Sequence, residues 1–196
     1  MPYISPGNRK MKIPTFSLPS EKTCPNATDL CKKYCYTKKA ERAYPQVLPC
    51  REKNYMETYS MQFVVDVAKQ ILKKKYEYFR IHEGGDFYNQ DYFDKWCWIA
   101  QLCQDTKFLA YTQNYKLDFR FKPNNLQIYW TVWPDSKDVP DTGLKAYVID
   151  NGNNVIPNTL DQPETHQCPK EIVEGMTCDK CLWCYEGKGD VKFKLH

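Results

Sequence analysis

The chain has 196 residues, 42% hydrophobic and 15% aromatic, enough for one core of average size with a small appendage and too apolar for a disordered chain. Its formal charge of +4 is modest, and metal-bound thiolates would erode it, so charge alone does not point to nucleic acid. No apolar run reaches the ~20 residues a membrane helix needs, and Met1–Pro6 lacks secretory character, so a cytoplasmic address and no membrane partner are expected.

Residues 1–23, with Pro2, Pro6, Pro14 and Pro19, read as an extended arm with a short strand near Lys10–Ile13. A cysteine-rich loop opens at Cys24 and runs into a charged helical segment from Thr28 to Ala43, capped by Thr28 or Asp29 and stopped by Pro45. Between Glu52 and Lys75 the apolar residues Tyr59, Phe63, Val64, Val67, Ala68, Ile71 and Leu72 recur at helical spacing, with lysines in the last turn. Tyr76–His82 then reads as a strand ended by Gly84-Gly85-Asp86. A second amphipathic helix places Tyr92, Phe93, Trp96, Ile99, Ala100 and Cys103 on one face. Strands are predicted over Lys107–Thr112, Leu126–Val132 and Lys145–Ile149, the last followed by the turn-rich run 150–154.

Alternating helices and strands predict an α/β fold with parallel strands, a partial (β/α) barrel or open half-barrel, whose ligand sites lie at the carboxyl ends of the strands. This domain, with the N-terminal cysteine cluster, is assigned residues 1–156. A small cysteine-rich C-terminal module is assigned residues 157–196.

Ten cysteines in a reducing compartment favour metal ligation over disulfides. In the tail, Cys168-Pro169 precedes Cys178-x2-Cys181-x2-Cys184, a pattern like that of ferredoxins, in which each thiolate reaches a different corner of a 4Fe–4S cluster. Structural zinc is the competing ligand, although zinc usually takes two separated Cys-x2-Cys knuckles. The N-terminal group is Cys24-x6-Cys31-x3-Cys35. Three thiolates there would leave one iron of a cluster open, and Cys50 could close the gap. His166 can act as a ligand or as a hydrogen-bond donor to a cluster sulfur. Cys97 and Cys103 lie on the second amphipathic helix and read as core residues.

Other residues leave two readings each. His82, beside the glycine turn, suits a ligand or general base as well as a hydrogen-bonded structural histidine. Lys32, Lys33, Lys38, Lys39 and Arg42, interleaved with Tyr34 and Tyr36, suit a nucleic-acid surface or the solvated face of a helix. The stretch Trp130–Asp135 suits base stacking or core packing.

The order of these motifs resembles two families. The Cys24-Pro25…Cys31…Cys35-Tyr36 opening, the centre formed by Arg80, His82, Gly85, Asp86 and Phe87, the Tyr111-Thr112 strand end and the cysteine-rich tail are similar to the phage "gene product 88" family of uncharacterised proteins, across nearly the whole chain. From Cys24 to Trp133 the chain also resembles radical S-adenosylmethionine (SAM) enzymes, with a three-cysteine loop, a Gly-Gly-acidic turn and a strand running to Asn114. In those enzymes the cysteine spacing is three and two and the acid is Glu. That resemblance implies that Cys24, Cys31 and Cys35 hold a 4Fe–4S cluster, that Gly84, Gly85 and Asp86 cradle SAM, and that electron transfer yields a deoxyadenosyl radical. The tail set, Cys168, Cys178, Cys181 and Cys184, would then hold an auxiliary cluster.

The expectation is an iron–sulfur protein with one or two 4Fe–4S clusters, carrying out radical SAM-like redox chemistry on a substrate, or with an electron donor, that the sequence does not name. The alternative is a non-enzymatic protein stabilised by zinc or iron–sulfur that contacts nucleic acid or a phage or host partner. Visible colour, metal content and release of deoxyadenosine separate the two.

Overall fold

The computed structural model describes residues 1–150 and 165–195. The run 151–154 and the boundary assigned between residues 156 and 157 lie outside the described residues. The chain begins with β1 (Thr15–Phe16), then α1 (Asp29–Lys33), α2 (Tyr36–Ala43), α3 (Val47–Glu57) and α4 (Gln62–Lys74). It continues with β2 (Tyr78–Ile81), α5 (Gln90–Leu102), β3 (Lys107–Thr112), β4 (Leu126–Val132) and β5 (Leu144–Ile149). After the undescribed stretch come β6 (His166–Gln167), a 3-10 turn at Pro169–Glu171, α6 (Cys178–Cys181) and β7 (Val191–Lys194).

The strands form one seven-stranded sheet in the order β1-β2-β3-β4-β5-β7-β6. Every pairing between them is parallel and the sheet does not close, which is the open α/β half-barrel expected. Register decides which side chains share a face. Phe79 pairs with Phe108 and Ile81 with Ala110, and with Phe16, Leu126 and Ile128 they meet α4 and α5 in the main core. Arg80 pairs with Leu109 and Tyr111 with Tyr129 on the opposite face, where β7 and the tail cysteines pack. Helices α4 and α5 therefore cover one face and the cysteine-rich tail packs on the other. No helix among the described residues is long and apolar enough to cross a membrane.

Both amphipathic helices form, and the predicted β3 and β4 match residue for residue. Three local expectations differ. Residues near Lys10 make a turn instead of a strand, because Asn8 Oδ1 accepts the backbone N–H groups of Lys10 and Met11 at 2.8 and 2.9 Å. The helix expected from Thr28 to Ala43 breaks at Tyr34–Cys35, where Cys35 is extended (φ −61°, ψ 108°) and Tyr34 packs toward Trp133 and Leu195. Thr28 does cap the first piece, accepting from Cys31 N at 3.1 Å. The helix expected through Glu52–Lys75 breaks at residues 58–61. Its carbonyl at Thr58 is taken by the buried Lys95 ammonium of α5, at 2.8 Å, and the Thr58 hydroxyl by Tyr88 at 2.7 Å. Tertiary partners override helical propensity at both breaks.

Candidate metal centres

The first cysteine set is carried by the loop between β1 and α2. That loop is stitched to the turn after β2 by Leu18 N donating to Gly84 O at 2.9 Å and Asp86 N donating to Thr23 O at 3.2 Å. Gly85 sits at φ +87°, and a β-carbon there would stand 2.6 Å from Leu18 Cβ and 2.7 Å from Thr23 Oγ1. A β-carbon on Gly84 would run into Thr37 and Arg51. The close approaches at both glycines are to the chain's own segments.

Asp86 is buried, and its carboxylate is held by protein donors. Oδ1 accepts Phe87 N at 2.6 Å and Oδ2 accepts Gln113 N at 2.9 Å. Burial outweighs those donors and lifts the carboxyl to about 6. Gln113 then extends its side-chain amide to Cys31 Sγ at 3.1 Å. Asp135, directly after β4, accepts Leu30 N on Oδ2 at 2.9 Å, while its buried Oδ1 has no partner among the described residues. Cys24 feels the charges of Asp86, Cys31 and Cys35, and Cys31 feels those of Cys35, Asp86 and Asp135. Burial, reinforced by Asp86, pushes the Cys24 thiol up. Burial also pushes Cys31 up to about 11 against the opposing Gln113 hydrogen bond. Three thiols and two carboxylates thus share the carboxyl ends of β2, β3 and β4, where ligands of open α/β sheets bind.

The second set lies on the face of the sheet away from α4 and α5. Cys168, Cys178, Cys181 and Cys184 line one cavity of about 50 Å³ together with Arg80 and Tyr111. Within α6 the three-residue step puts Cys178 and Cys181 on the same side, and Leu182 at φ +54° turns the chain toward Cys184. Arg80 lies with Cζ 3.9 Å over the Tyr111 ring, fixed by Nε donating to His82 O at 2.9 Å. Its charge acts on Cys178 and Cys184 and that of Lys10 on Cys168 and Cys178, while Glu171 opposes them at Cys168 and Asp179 at Cys178. Burial lifts Cys168 to about 11, Cys184 to about 12 and Cys178 upward as well. Thiols so raised are poor nucleophiles at neutral pH, and a bound cation is what would deprotonate them.

All ten cysteines are free thiols. Among the described residues no group of three or more His, Cys, Asp or Glu side chains stands ready to hold a metal ion. Cys50 lies on α3, where the charges acting on it are those of Arg51 and Lys53 and not those of other thiols. Cys97 and Cys103 are buried in the main core, with Cys103 Sγ 3.8 Å from Ala68 O.

The profile of the family described as "Gene product 88" matches residues 4–155. The chain belongs to the gene product 88 family. Two relatives, each called Gene 88 protein, come from Mycobacterium phage D29 and Mycobacterium phage L5. Each is 27% identical to this chain, covering 87% of it and 81% of the relative. No solved structure matches. The span shared with the gene product 88 profile holds Cys24, Cys31, Cys35, Gly84–Asp86 and β1 to β5, and ends before the tail cysteines.

The other candidate residues of this gene product 88 chain make contacts within the chain. His82 is buried at φ +65° with Nε2 2.8 Å from Tyr92 Oη, and burial, aided by Arg80, holds its ring neutral down to about 3. His166 stacks on Trp183 with centroids 3.8 Å apart and an interplanar angle of 12°. Lys38 pairs with Glu21, and Lys33 lies 5.0 Å from the Tyr34 ring centroid. Trp130 donates to Thr142 O at 2.9 Å and packs on Phe119, while Trp133 is buried beside Leu30 and Cys31. Sequence reasoning named Gln113 and Asp135 only as members of strand-end stretches and gave neither a role beside the thiols. The signal was present, since each residue follows a predicted strand at its ligand-binding end.

Proposed function

We propose that this chain binds iron–sulfur clusters at its two cysteine sets and carries out redox chemistry at the first. The observation that carries the reading is the convergence of Cys168, Cys178, Cys181 and Cys184 on one cavity flanked by Arg80. A 4Fe–4S cluster takes four thiolates, and its net negative charge suits the guanidinium. A single zinc ion would need every sulfur drawn to about 2.3 Å from one point. The cavity, about 50 Å³ against the ~10–15 Å³ that a water needs by the same measure, favours a larger inorganic core.

The first set supplies three thiols, Cys24, Cys31 and Cys35, and a cluster held by them keeps one iron free for a ligand. When bound, such a cluster supplies one-electron reduction of that ligand. S-adenosylmethionine is the ligand suggested by the likeness to radical SAM enzymes, with Gly84, Gly85 and Asp86 as its cradle. Asp135 supports this reading, because its unpartnered Oδ1 could accept from a cationic group beside the thiols.

A second reading also has support. The atoms facing Gly84 and Gly85 belong to the protein, and the Asp86 carboxylate already accepts the Phe87 and Gln113 backbone N–H groups. That favours a metal-stabilised, non-enzymatic protein, holding iron–sulfur or zinc, that contacts nucleic acid or a phage or host partner.

Anaerobic purification with iron, zinc and sulfide analysis tests the proposal. The protein should be brown, Cys181→Ala should lose about half the iron, and Cys103→Ala should lose none. A colourless protein with stoichiometric zinc overturns it. If reduced, cluster-loaded protein releases deoxyadenosine from SAM, the enzymatic reading holds; intact clusters without release leave the second.

A further inference from the structure

Thr177 stands at the start of α6, where a threonine hydroxyl ordinarily accepts an N–H from the first turn. Its backbone has the extended form of a cap, at φ −136° and ψ 161°. Its carbonyl accepts Lys180 N at 3.1 Å and Cys181 N at 3.0 Å, yet its side chain makes no capping hydrogen bond. The N–H of Cys178 goes to Lys10 O instead, at 3.3 Å. Thr177 is only 5% exposed, and its buried Oγ1 has no hydrogen-bond partner among the described residues. An unpaired buried hydroxyl costs stability, and folded chains keep few of them.

The place of this hydroxyl says what it can pair with. Thr177 lines the cavity of about 50 Å³ on which the four tail thiols converge. The charged side chains lining that cavity are Arg80 and Lys170, and no carboxylate, carboxamide or imidazole is among its described lining residues. The cavity thus joins hydrogen-bond donors to sulfur. A neutral thiol is a weak acceptor, whereas a metal-bound thiolate is deprotonated and accepts as a charged group does. Binding of a metal by these cysteines therefore creates the partner that Thr177 lacks.

Resting on the reading that the tail cysteines bind a metal centre, we propose that Thr177 is a positioning residue of that centre, its hydroxyl donating to one of the metal-bound sulfurs. Such a donor, just outside the ligands, stabilises thiolate ligation and slows loss of the metal. The metal-free chain carries the cost of the unpaired hydroxyl, and the loaded chain is relieved of it. Thr177→Val keeps the shape of the side chain and removes the hydroxyl. It should therefore act in opposite directions on the two states, strengthening the metal-free fold and weakening metal retention. A purely structural hydroxyl would move both the same way.

The test uses the full chain, purified anaerobically, with Thr177→Val and Thr177→Ser beside it. Metal release to a chelator is followed in each, and the chelator-stripped proteins are unfolded in urea. Electron paramagnetic resonance (EPR) of the dithionite-reduced protein identifies the tail iron by the signal lost in Cys181→Ala. Thr177→Val should release tail metal roughly 10–100-fold faster, the usual cost of losing such a partner. Its metal-free form should unfold at a higher urea concentration than the natural chain. Thr177→Ser, which keeps a hydroxyl, should restore slow release. Equal release from Thr177→Val and the natural chain, both loaded, overturns the role of Thr177 and leaves the reading of the tail set intact. So does a lower urea midpoint for metal-free Thr177→Val, which would show the hydroxyl already paired, with an ordered water in the cavity. If the tail holds zinc, the iron–sulfur reading fails and zinc release tests Thr177 in the same way. A natural chain that binds no metal at the tail set overturns that reading and the role of Thr177 together.

Discussion

Arg51 Nη1 donates to Glu41 Oε1 at 2.8 Å, and both side chains are only 9% exposed. The same carboxylate accepts Ser20 N at 2.9 Å and the Ser20 hydroxyl, so one acid joins α2, α3 and the loop leading to Cys24. Burial alone would raise Glu41, but Ser20 and Arg51 prevail and hold its carboxyl below the usual range. Its stabilising contribution is complete above the unfolded-state value and is lost as pH falls through the lowered folded value. Glu41→Gln leaves Arg51 buried without its counter-charge and should cost roughly 3–5 kcal/mol in urea unfolding at neutral pH. A loss below about 1 kcal/mol would mean that the pair behaves as a surface salt bridge.

His82 gives the fold a specific acid sensitivity. Burial and then Arg80 hold the imidazole neutral to about 3, while an unfolded chain protonates near its ordinary 6.5. The unfolded state therefore binds the extra proton first, and folding stability falls between those values by up to about 1.4 kcal/mol per pH unit. Asp86 works in the opposite direction. Its folded carboxyl, near 6, protonates before the unfolded one, so its contribution grows as pH falls toward 3.8. The clean measurement is a difference between two chains that share Asp86. Asn tolerates the positive φ at this position, so His82→Asn should gain on the natural chain as the metal-free proteins are unfolded at successively lower pH from about 6.5 to 4. A gap that stays constant with pH would show that the ring is already charged in the folded state.

What could be read from the sequence follows what is local. Leu126–Val132 is an apolar run bounded by turn residues, and Gln90–Leu102 buries one helical stripe, so β4 and α5 were legible. The break at Thr58 was not, because it depends on Lys95 arriving from a helix 37 residues away. Strand β7 was missed for the same reason. Val191–Lys194 alternates weakly, and only its pairing with β5 makes it a strand. Both cysteine sets were visible as spacings along the chain. The contact of Gln113 with Cys31 spans 82 residues and leaves no periodic trace.

The position of Arg80 makes it a test of what the tail cavity is for. The half-buried Arg80 guanidinium packs 3.9 Å over Tyr111 and lines the same cavity as Cys178 and Cys184. Beside a thiolate-bound cluster it neutralises charge and orients a sulfur ligand. Arg80→Met keeps much of the volume and should weaken retention of the tail cluster roughly 10–100-fold, the usual cost of losing a partner just outside the ligands. On the proposed reading, iron release to a chelator should quicken accordingly, while iron at the first cysteine set stays. Unchanged release, with a gain in thermal stability, would identify Arg80 as a tolerated burden in an apolar core.

Gly85 bears directly on the loop that carries Cys24. Its φ of +87° costs most residues about 1–3 kcal/mol, and a β-carbon there would strike Leu18 and Thr23 within 2.7 Å. Those atoms belong to the loop that carries Cys24, and the next residue, Asp86, anchors that loop through Thr23 O. Gly85→Ala must therefore push the cysteine loop away from the strand ends, while none of Leu18, Thr23 and Gly85 lines the tail cavity. The variant should lose the iron of the first set and keep that of the tail, read as a selective loss of one EPR signal on reduction. If both signals vanish together, the variant has unfolded, which Gly85→Ser and circular dichroism at low temperature would register. If both persist, the loop yields without moving Cys24, and the glycine serves only the backbone turn.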